Sequence, residues 1–376
     1  MKFKKFLLFV PVTFALPLTA ISCQKNEMSF AVTTPWDQNF DTSFFEKVVQ
    51  EYNLILKKDN IKTKVYFEGE KNDIVSKILK GTSDVAFLTA SQFNHESNKN
   101  EVIPILQTLT RRFNFDNTFT TYKDGSLNDP LRKLAKEAQT LFEEKPFAEW
   151  DDKSYGWNGS IYEKFYDSGP NPLTDYYRGV VMIWGNDSTR NAIKKAWDDK
   201  DWNSFRNFGI VTNEITSSSK YLLEEALFAK HFNKENNKFT SFALDKQNHS
   251  DKYIQNKARN ISKGALENYH IVFDELGAFA YTHNIKKGQK LDYYSTCKKE
   301  DKIEFLTATE PIKYNIIAVS KQMSERERKA LAQAFVNAWK NGDDNYGPRV
   351  GYNGYKIIND YKAEVIDPFE NIFKGK

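Results

Sequence analysis

Ile215-Thr216-Ser217-Ser218-Ser219-Lys220-Tyr221 gathers aliphatic hydroxyls and one ammonium between a short apolar run, Phe208 to Val211, and a helical pattern, Leu222 to His231. Read as strand, turn and helix, it places those groups at a helix N-terminus. The first N–H groups there lack intrahelical acceptors and the macrodipole is positive. Phosphate oxygens suit such a seat: backbone amides, the hydroxyls of Ser217, Ser218 and Ser219, and the Lys220 ammonium can converge on them. Serines also cap helices and fill turns without binding anything. The rest of the chain has to decide between the two.

Signatures of catalysis are missing from the sequence. It holds no G-x-S-x-G elbow, no H-E-x-x-H and no Walker loop. Ser218 with His270 or His283 could be drawn as a triad, but a chain of this length offers many such trios, and the expectation is a protein that is not an enzyme. The five histidines are scattered and no C-x-x-C occurs, so no metal is expected.

The N-terminus points to a compartment. Lys2, Lys4 and Lys5 precede an apolar and small-residue segment from Phe6 to Ile21 that contains Pro11 and Pro17. That is a secretory signal, too short for a comfortable membrane span. It ends in Leu18-Thr19-Ala20-Ile21-Ser22-Cys23, and small residues before a cysteine resemble a bacterial lipobox. Residues 1–22 therefore read as a lipoprotein signal, with Cys23 lipidated and the product held at the outer face of the cell membrane. Two acyl chains anchor stably, at about 0.8 kcal/mol per buried CH₂. Cys297 is the other cysteine, so no disulfide forms within one such chain.

Loss of the three signal lysines lowers the net charge from +4 to about +1. Lysine far outnumbers arginine and the charges alternate in sign, which is solvated surface and no nucleic-acid footprint. About 350 residues remain, enough for two domains.

Those domains must position the hydroxyl turn, and the periodicity says how. Met28 to Thr33, Ile61 to Phe67 and Asp84 to Leu88 read as strands; Phe44 to Leu56 and Asn72 to Leu79 read as helices between them. This β-α-β-α-β order implies a mostly parallel sheet, with loops Thr33 to Asp37 and Thr89 to Phe93 at strand ends where ligands bind. Thr108 to Tyr122 is a strand or hinge crossing, and Leu131 to Phe142 a helix opened by Asn128-Asp129-Pro130. Alternation resumes with strands at Arg178 to Trp184 and Tyr269 to Phe273, each followed by a turn and a helix. Strands near Phe305 to Val319 and a helix from Ser324 to Lys340, with a Ser324/Glu327 capping box, complete the chain. The expected division is 23–105 plus 301–376 as lobe I and 106–300 as lobe II. Two α/β lobes outside a membrane suggest a receptor that closes by a hinge on a ligand between the lobes.

Trp197-Asp198-Asp199-Lys200-Asp201-Trp202-Asn203-Ser204-Phe205-Arg206-Asn207-Phe208-Gly209-Ile210, the following Ser217-Ser218-Ser219-Lys220, and Tyr346-Gly347-Pro348-Arg349-Val350-Gly351-Tyr352-Asn353-Gly354-Tyr355-Lys356 closely resemble the mycoplasma high-affinity transport lipoproteins, also called extracytoplasmic thiamine-binding lipoproteins. Tyr177-Arg178-Gly179, Gly185-Asn186-Asp187 and Tyr281-Thr282-His283-Asn284 match as well, so the resemblance covers about 100 to 360. It implies a type II periplasmic-binding-protein fold, the permease and ATPase of an ABC importer as partners, a monomer, and thiamine pyrophosphate as the transported ligand, with no catalytic cofactor. More distantly the chain is similar to phosphonate receptors, in which a Ser-Thr-Ser turn grips the oxyanion; here the middle Thr is Ser218. Asp274-Glu275-Leu276-Gly277 resembles their acidic turn, with two acids where one is usual.

Given that ligand class, Ser217, Ser218, Ser219 and Lys220 are the expected pyrophosphate contacts. Trp36, Phe93, Trp157, Trp184 or Tyr314 would stack on the rings, Asp274 or Glu275 would neutralise the thiazolium, and Asp37, Ser91 and Asn315 would add polar contacts. A phosphonate or phosphate-ester receptor of the same fold, and a surface adhesin or signalling lipoprotein using it as a scaffold, are the competing readings.

Overall fold

The computed structural model describes residues 26–374 apart from 59–60, 70–73, 287 and 291–293. The signal segment and Cys23 lie outside the described residues. Among those described, no helix is long and apolar enough to cross a membrane.

Two open sheets flanked by helices make up the molecule, which has the two-lobe periplasmic-binding-protein architecture. In the first sheet Glu27–Thr33 pairs in parallel with Lys62–Glu68 and Val85–Leu88, and continues through Ile316–Ser320 and Val102–Arg111 to Gly354–Ile357, all antiparallel. The second sheet runs Lys302–Ala308, Gly179–Gly185, Ile271–Glu275, Ile210–Thr212, Tyr253–Gln255. Its last pairings are parallel and its first two antiparallel. Each sheet is thus parallel on one side only, less so than the alternation of strand and helix suggests. The antiparallel part of the first sheet begins at Ile316–Ser320, which returns from the second lobe, and that of the second at Gly179–Gly185, which enters from the first.

These pairings also move the expected boundaries. Val102–Arg111 belongs wholly to the first sheet and Lys302–Ala308 to the second, so the chain changes lobes after Arg111 and after Ala308, not at 105/106 and 300/301. Between the lobes Tyr176–Tyr177 pairs with Ile312–Lys313 in a short antiparallel ribbon.

The helices follow their sequence signals. Ser324 and Glu327 form the capping box of Glu325–Lys340. Asp129 accepts from Leu131 N–H ahead of Pro130–Phe142. The last helix, Asp367–Phe373, packs Phe369 and Ile372 against Leu223 and Ala226 of the second lobe, while the turn before it buries Val365 in the first. Phe369 also meets the ring of His95 edge-on at 5.5 Å.

The second lobe has an aromatic core with a histidine inside it. His231 is fully buried and lies flat on Trp197, with ring centroids 3.7 Å apart. Its Nε2 donates to Trp197 O at 2.8 Å, and its Nδ1 accepts from the Tyr122 hydroxyl at 2.9 Å. Both nitrogens of the neutral ring are therefore satisfied, and a second proton would place a charge in an apolar core. Burial pushes the imidazole down to about 4. The unfolded chain takes up that proton near pH 6.5, the folded one only near 4, so His231 contributes stability above pH 6.5 that is lost as the pH falls through this window. Urea unfolding at pH 7 and pH 4 should show a loss about 3 kcal/mol greater for the wild type than for His231→Gln. Equal pH dependence in both would refute the assignment.

Candidate functional site

A cleft of about 930 Å³ opens between the lobes. The second lobe contributes the start of the helix that ends at His231. Its first turn, Ser218–Leu222, is wound as a π-helix before Leu223–His231 continues as α-helix. The first intrahelical bond is Leu222 N–H to Ser217 O, at 3.0 Å, so the amides of Ser218 to Tyr221 precede it. Ser217 occupies the cap position, yet its side chain makes no capping bond. The Ser217 hydroxyl is therefore not spent on capping the helix, and the Ser218 hydroxyl bonds to Tyr177 of the wall opposite. Ser217, Ser218, Ser219 and Lys220 all line the cleft.

Gly179 lets this turn approach the sheet. A Cβ there would lie 2.1 Å from Glu224 Oε1 and 2.8 Å from Ser219 O, so no side chain fits. Glu224 beneath the turn is completely buried, and neither carboxyl oxygen has a hydrogen-bond partner among the described residues. Burial raises it well above the ordinary carboxyl range.

The two acids at the end of Ile271–Glu275 divide their work, as alternation along a strand requires. Asp274 is buried, pairs with the Lys220 ammonium at 3.1 Å and accepts from the Tyr294 hydroxyl. Glu275 lines the cleft. Burial lifts its carboxyl to about 7, with Lys220 pulling it down and Asp274 pushing it up.

Facing the turn is an aromatic wall. Tyr177 and Tyr314 meet at 5.7 Å and 81°, Tyr314 and Tyr352 at 5.8 Å and 83°. Asn315 donates to the Tyr352 hydroxyl at 2.6 Å. Trp36, half-exposed at 52%, flanks Gly351 beside Tyr314. The cleft thus presents anion donors on one lobe, and ring faces and Glu275 around them.

Eight expected residues are brought together: Ser217, Ser218, Ser219, Lys220, Trp36, Glu275, Tyr314 and Asn315. Six are not. Trp184 is buried and donates Nε1–H to Tyr269 O at 2.6 Å. Gly179 pairs with Glu275 and Ile183 with Ile271, so the strand runs antiparallel and its first residues, not its last, face the cleft. Phe93 turns into the first-lobe core, and Ser91 is buried along the same short helix, within 3.4 Å of His95 Nδ1. Thr89 and Gln92 of that helix line the cleft instead. Trp157 stacks on His283 at 4.3 Å, leaving Asn158 and Ser160 to reach the cleft. Asp37 makes a two-pronged pair with Arg349 at 2.8 and 2.9 Å, which together with the Trp36 N–H bond to Arg349 O holds the Trp36 loop. Arg349 holds its carboxyl below the usual range. Asp274 is turned inward to Lys220. Cys297 is an exposed free thiol.

Sequence reasoning missed Tyr177, Tyr352 and Arg178. All three sit inside the sequence words that carry the family resemblance, which was the signal available. Arg178 is buried and pairs with Asp116 at 2.9 Å on the cleft floor.

A family model for extracytoplasmic thiamine-binding lipoproteins matches residues 42–374. The high affinity transport system protein p37 of Mesomycoplasma hyorhinis is 34% identical, over 99% of both chains. Its namesake in Mycoplasma pneumoniae is 33% identical over 96% of both. The solved structure of the Mycoplasma hyorhinis protein Mh-p37, described as a proposed thiamine pyrophosphate transporter, superposes with a TM-score of 0.83 at 34% identity. It covers 93% of this chain and 99% of that one. These relatives are transport and binding proteins, and the chain belongs to the extracytoplasmic thiamine-binding lipoprotein family.

Proposed function

We propose that the chain is the extracytoplasmic substrate-binding lipoprotein of an ABC importer and that its cargo is thiamine pyrophosphate. The observation that carries this reading is the uncapped serine turn. Ser217 to Lys220, with the Ser217 hydroxyl making no capping bond, line a cleft whose other walls are tyrosines, Trp36 and Glu275. The diphosphate takes the amides of Ser218 to Tyr221 and the serine hydroxyls, while Lys220 shares its charge between ligand and Asp274. The aminopyrimidine and thiazolium rings lie on Trp36, Tyr314 and Tyr177, with Glu275 facing the cation. The cleft volume falls in the range typical of small-molecule sites. The relatives' names support the ligand class, and acylation at Cys23 would hold the receptor at the outer face of the membrane beside its permease and ATPase.

Isothermal titration of the mature protein with thiamine pyrophosphate, thiamine, methylphosphonate and phosphate tests the reading. Thiamine pyrophosphate should bind at least about tenfold more tightly than thiamine, a difference of 1.4 kcal/mol. Heat with methylphosphonate and none with either thiamine compound would make the chain a phosphonate receptor. Turnover of a bound phosphate ester, read as phosphate release, would make it an enzyme.

A further inference from the structure

Lys257 stands apart from the other cations of the cleft. Arg111, Arg112, Arg178, Lys220 and Lys257 line it. Arg111 pairs with Glu163 and Arg112 with Asp167. Arg178 pairs with Asp116 at 2.9 Å, and Lys220 with Asp274 at 3.1 Å. The exposed Lys257 ammonium has no ion-pair or hydrogen-bond partner among the described residues.

Its position follows from the sheet. Ile210–Thr212 and Tyr253–Gln255 pair in parallel, Thr212 opposite Gln255, and Asn256 N–H continues the ladder to Thr212 O at 3.0 Å. The carboxyl ends of the two strands are therefore side by side. One leads into Asn213 to Ser217 and the hydroxyl turn, the other into Asn256 and Lys257. Asn256 Oδ1 accepts from Lys257 N–H and from Asn260 Nδ2, each at 2.8 Å, which fixes the backbone from which the lysine projects.

We propose that Lys257 binds the terminal phosphoryl group of a diphosphate ligand and sets the preference for a diphosphate over a monophosphate or a free alcohol. This rests on the hydroxyl turn being an anion seat. The turn offers partial charges, and Lys220 is already shared with a buried carboxylate, so a single phosphoryl group is balanced there and a second is not. A lysine with no acid to leave is the group able to balance it, and no existing pair must break.

Equilibrium binding of inorganic pyrophosphate, inorganic phosphate, thiamine pyrophosphate and thiamine to the full mature chain tests the assignment in wild type, Lys257→Gln and Lys257→Arg. Because the side chain is exposed, melting temperatures should match. Lys257→Gln should lose about tenfold or more in affinity for pyrophosphate and thiamine pyrophosphate, as for a lost hydrogen bond to a charged group. Phosphate and thiamine should change less than about threefold, and Lys257→Arg should retain most of the wild-type affinity. The salt dependence of pyrophosphate binding should flatten in Lys257→Gln. An unchanged pyrophosphate affinity in Lys257→Gln, an equal loss for all four compounds, or no pyrophosphate binding by the wild type overturns the proposal. Pyrophosphate binding that depends on Lys257, with no affinity for thiamine pyrophosphate, would leave Lys257 standing and remove the thiamine reading.

Discussion

Replacing Arg178 by methionine should cost about 3–5 kcal/mol of stability, because it strands a buried carboxylate. The Arg178 side chain has no exposed surface. It donates Nε–H to Asp116 Oδ2 at 2.9 Å and Nη1–H to Thr120 O and Thr309 O at 2.9 and 3.1 Å. Asp116 and Thr120 lie on the segment that leaves the first lobe, and Thr309 on the one that returns. One guanidinium therefore ties both crossings. The pair is imperfect, since Arg178 Nη2 and Asp116 Oδ1 have no partners among the described residues. Burial holds the Asp116 carboxyl above its ordinary value even beside an arginine. Removing both charges should hence be far milder than removing one, and Asp116→Leu with Arg178→Met should recover most of the loss. Urea unfolding of the two single variants and the double measures this. A loss below about 1 kcal/mol for Arg178→Met would mean that water reaches Asp116 and the pin does not operate.

The second large effect concerns binding. Ser217→Ala combined with Ser219→Ala should weaken thiamine pyrophosphate by about 100-fold or more, since each lost hydrogen bond to a charged group is worth about 1.5–3 kcal/mol. Thiamine should lose less than about threefold. Ser217 makes no capping bond, so the usual cost of about 1 kcal/mol for removing a cap should be absent and the melting temperature should barely move. Titration of both ligands into the double variant, with a thermal scan alongside, checks both parts. Equal losses for the two ligands would reduce the turn to a structural element.

Much of this arrangement was legible in the sequence because it follows from local rules. The capping box at Ser324, the proline start at Pro130 and the strand–turn–helix around Ser217 all appear where composition and spacing put them. Trp184 was misread for a nonlocal reason. Strand direction within a sheet is decided by distant partners, and an antiparallel neighbour sends the wrong end to the ligand. Phe93 and Ser91 depended on the rotation of one short helix about its axis, which six residues with a polar and an aromatic mixture leave open. Asp37 needed knowledge of Arg349, more than three hundred residues away in sequence. The tyrosine wall comes from three separate segments, 176–177, 314 and 352, and no local pattern joins them. Between Phe147 and Phe165 the chain forms isolated single turns, which carry turn signals and aromatics but are too short to show a period.

The helix Asp367–Phe373 gives the cleft a mechanical character. Two helices bring their first residues to the ligand space, Ala90–His95 from one lobe and the Ser218 helix from the other. Both rest, further along, on the side chain of Phe369. A load taken up at the ligand end of either is carried behind the pivot by the same seven-residue strut. Besides the crossing segments that Arg178 ties, the lobes meet at the tyrosine-bearing ribbon and at this strut, so a change in the angle between them has to reseat Phe369.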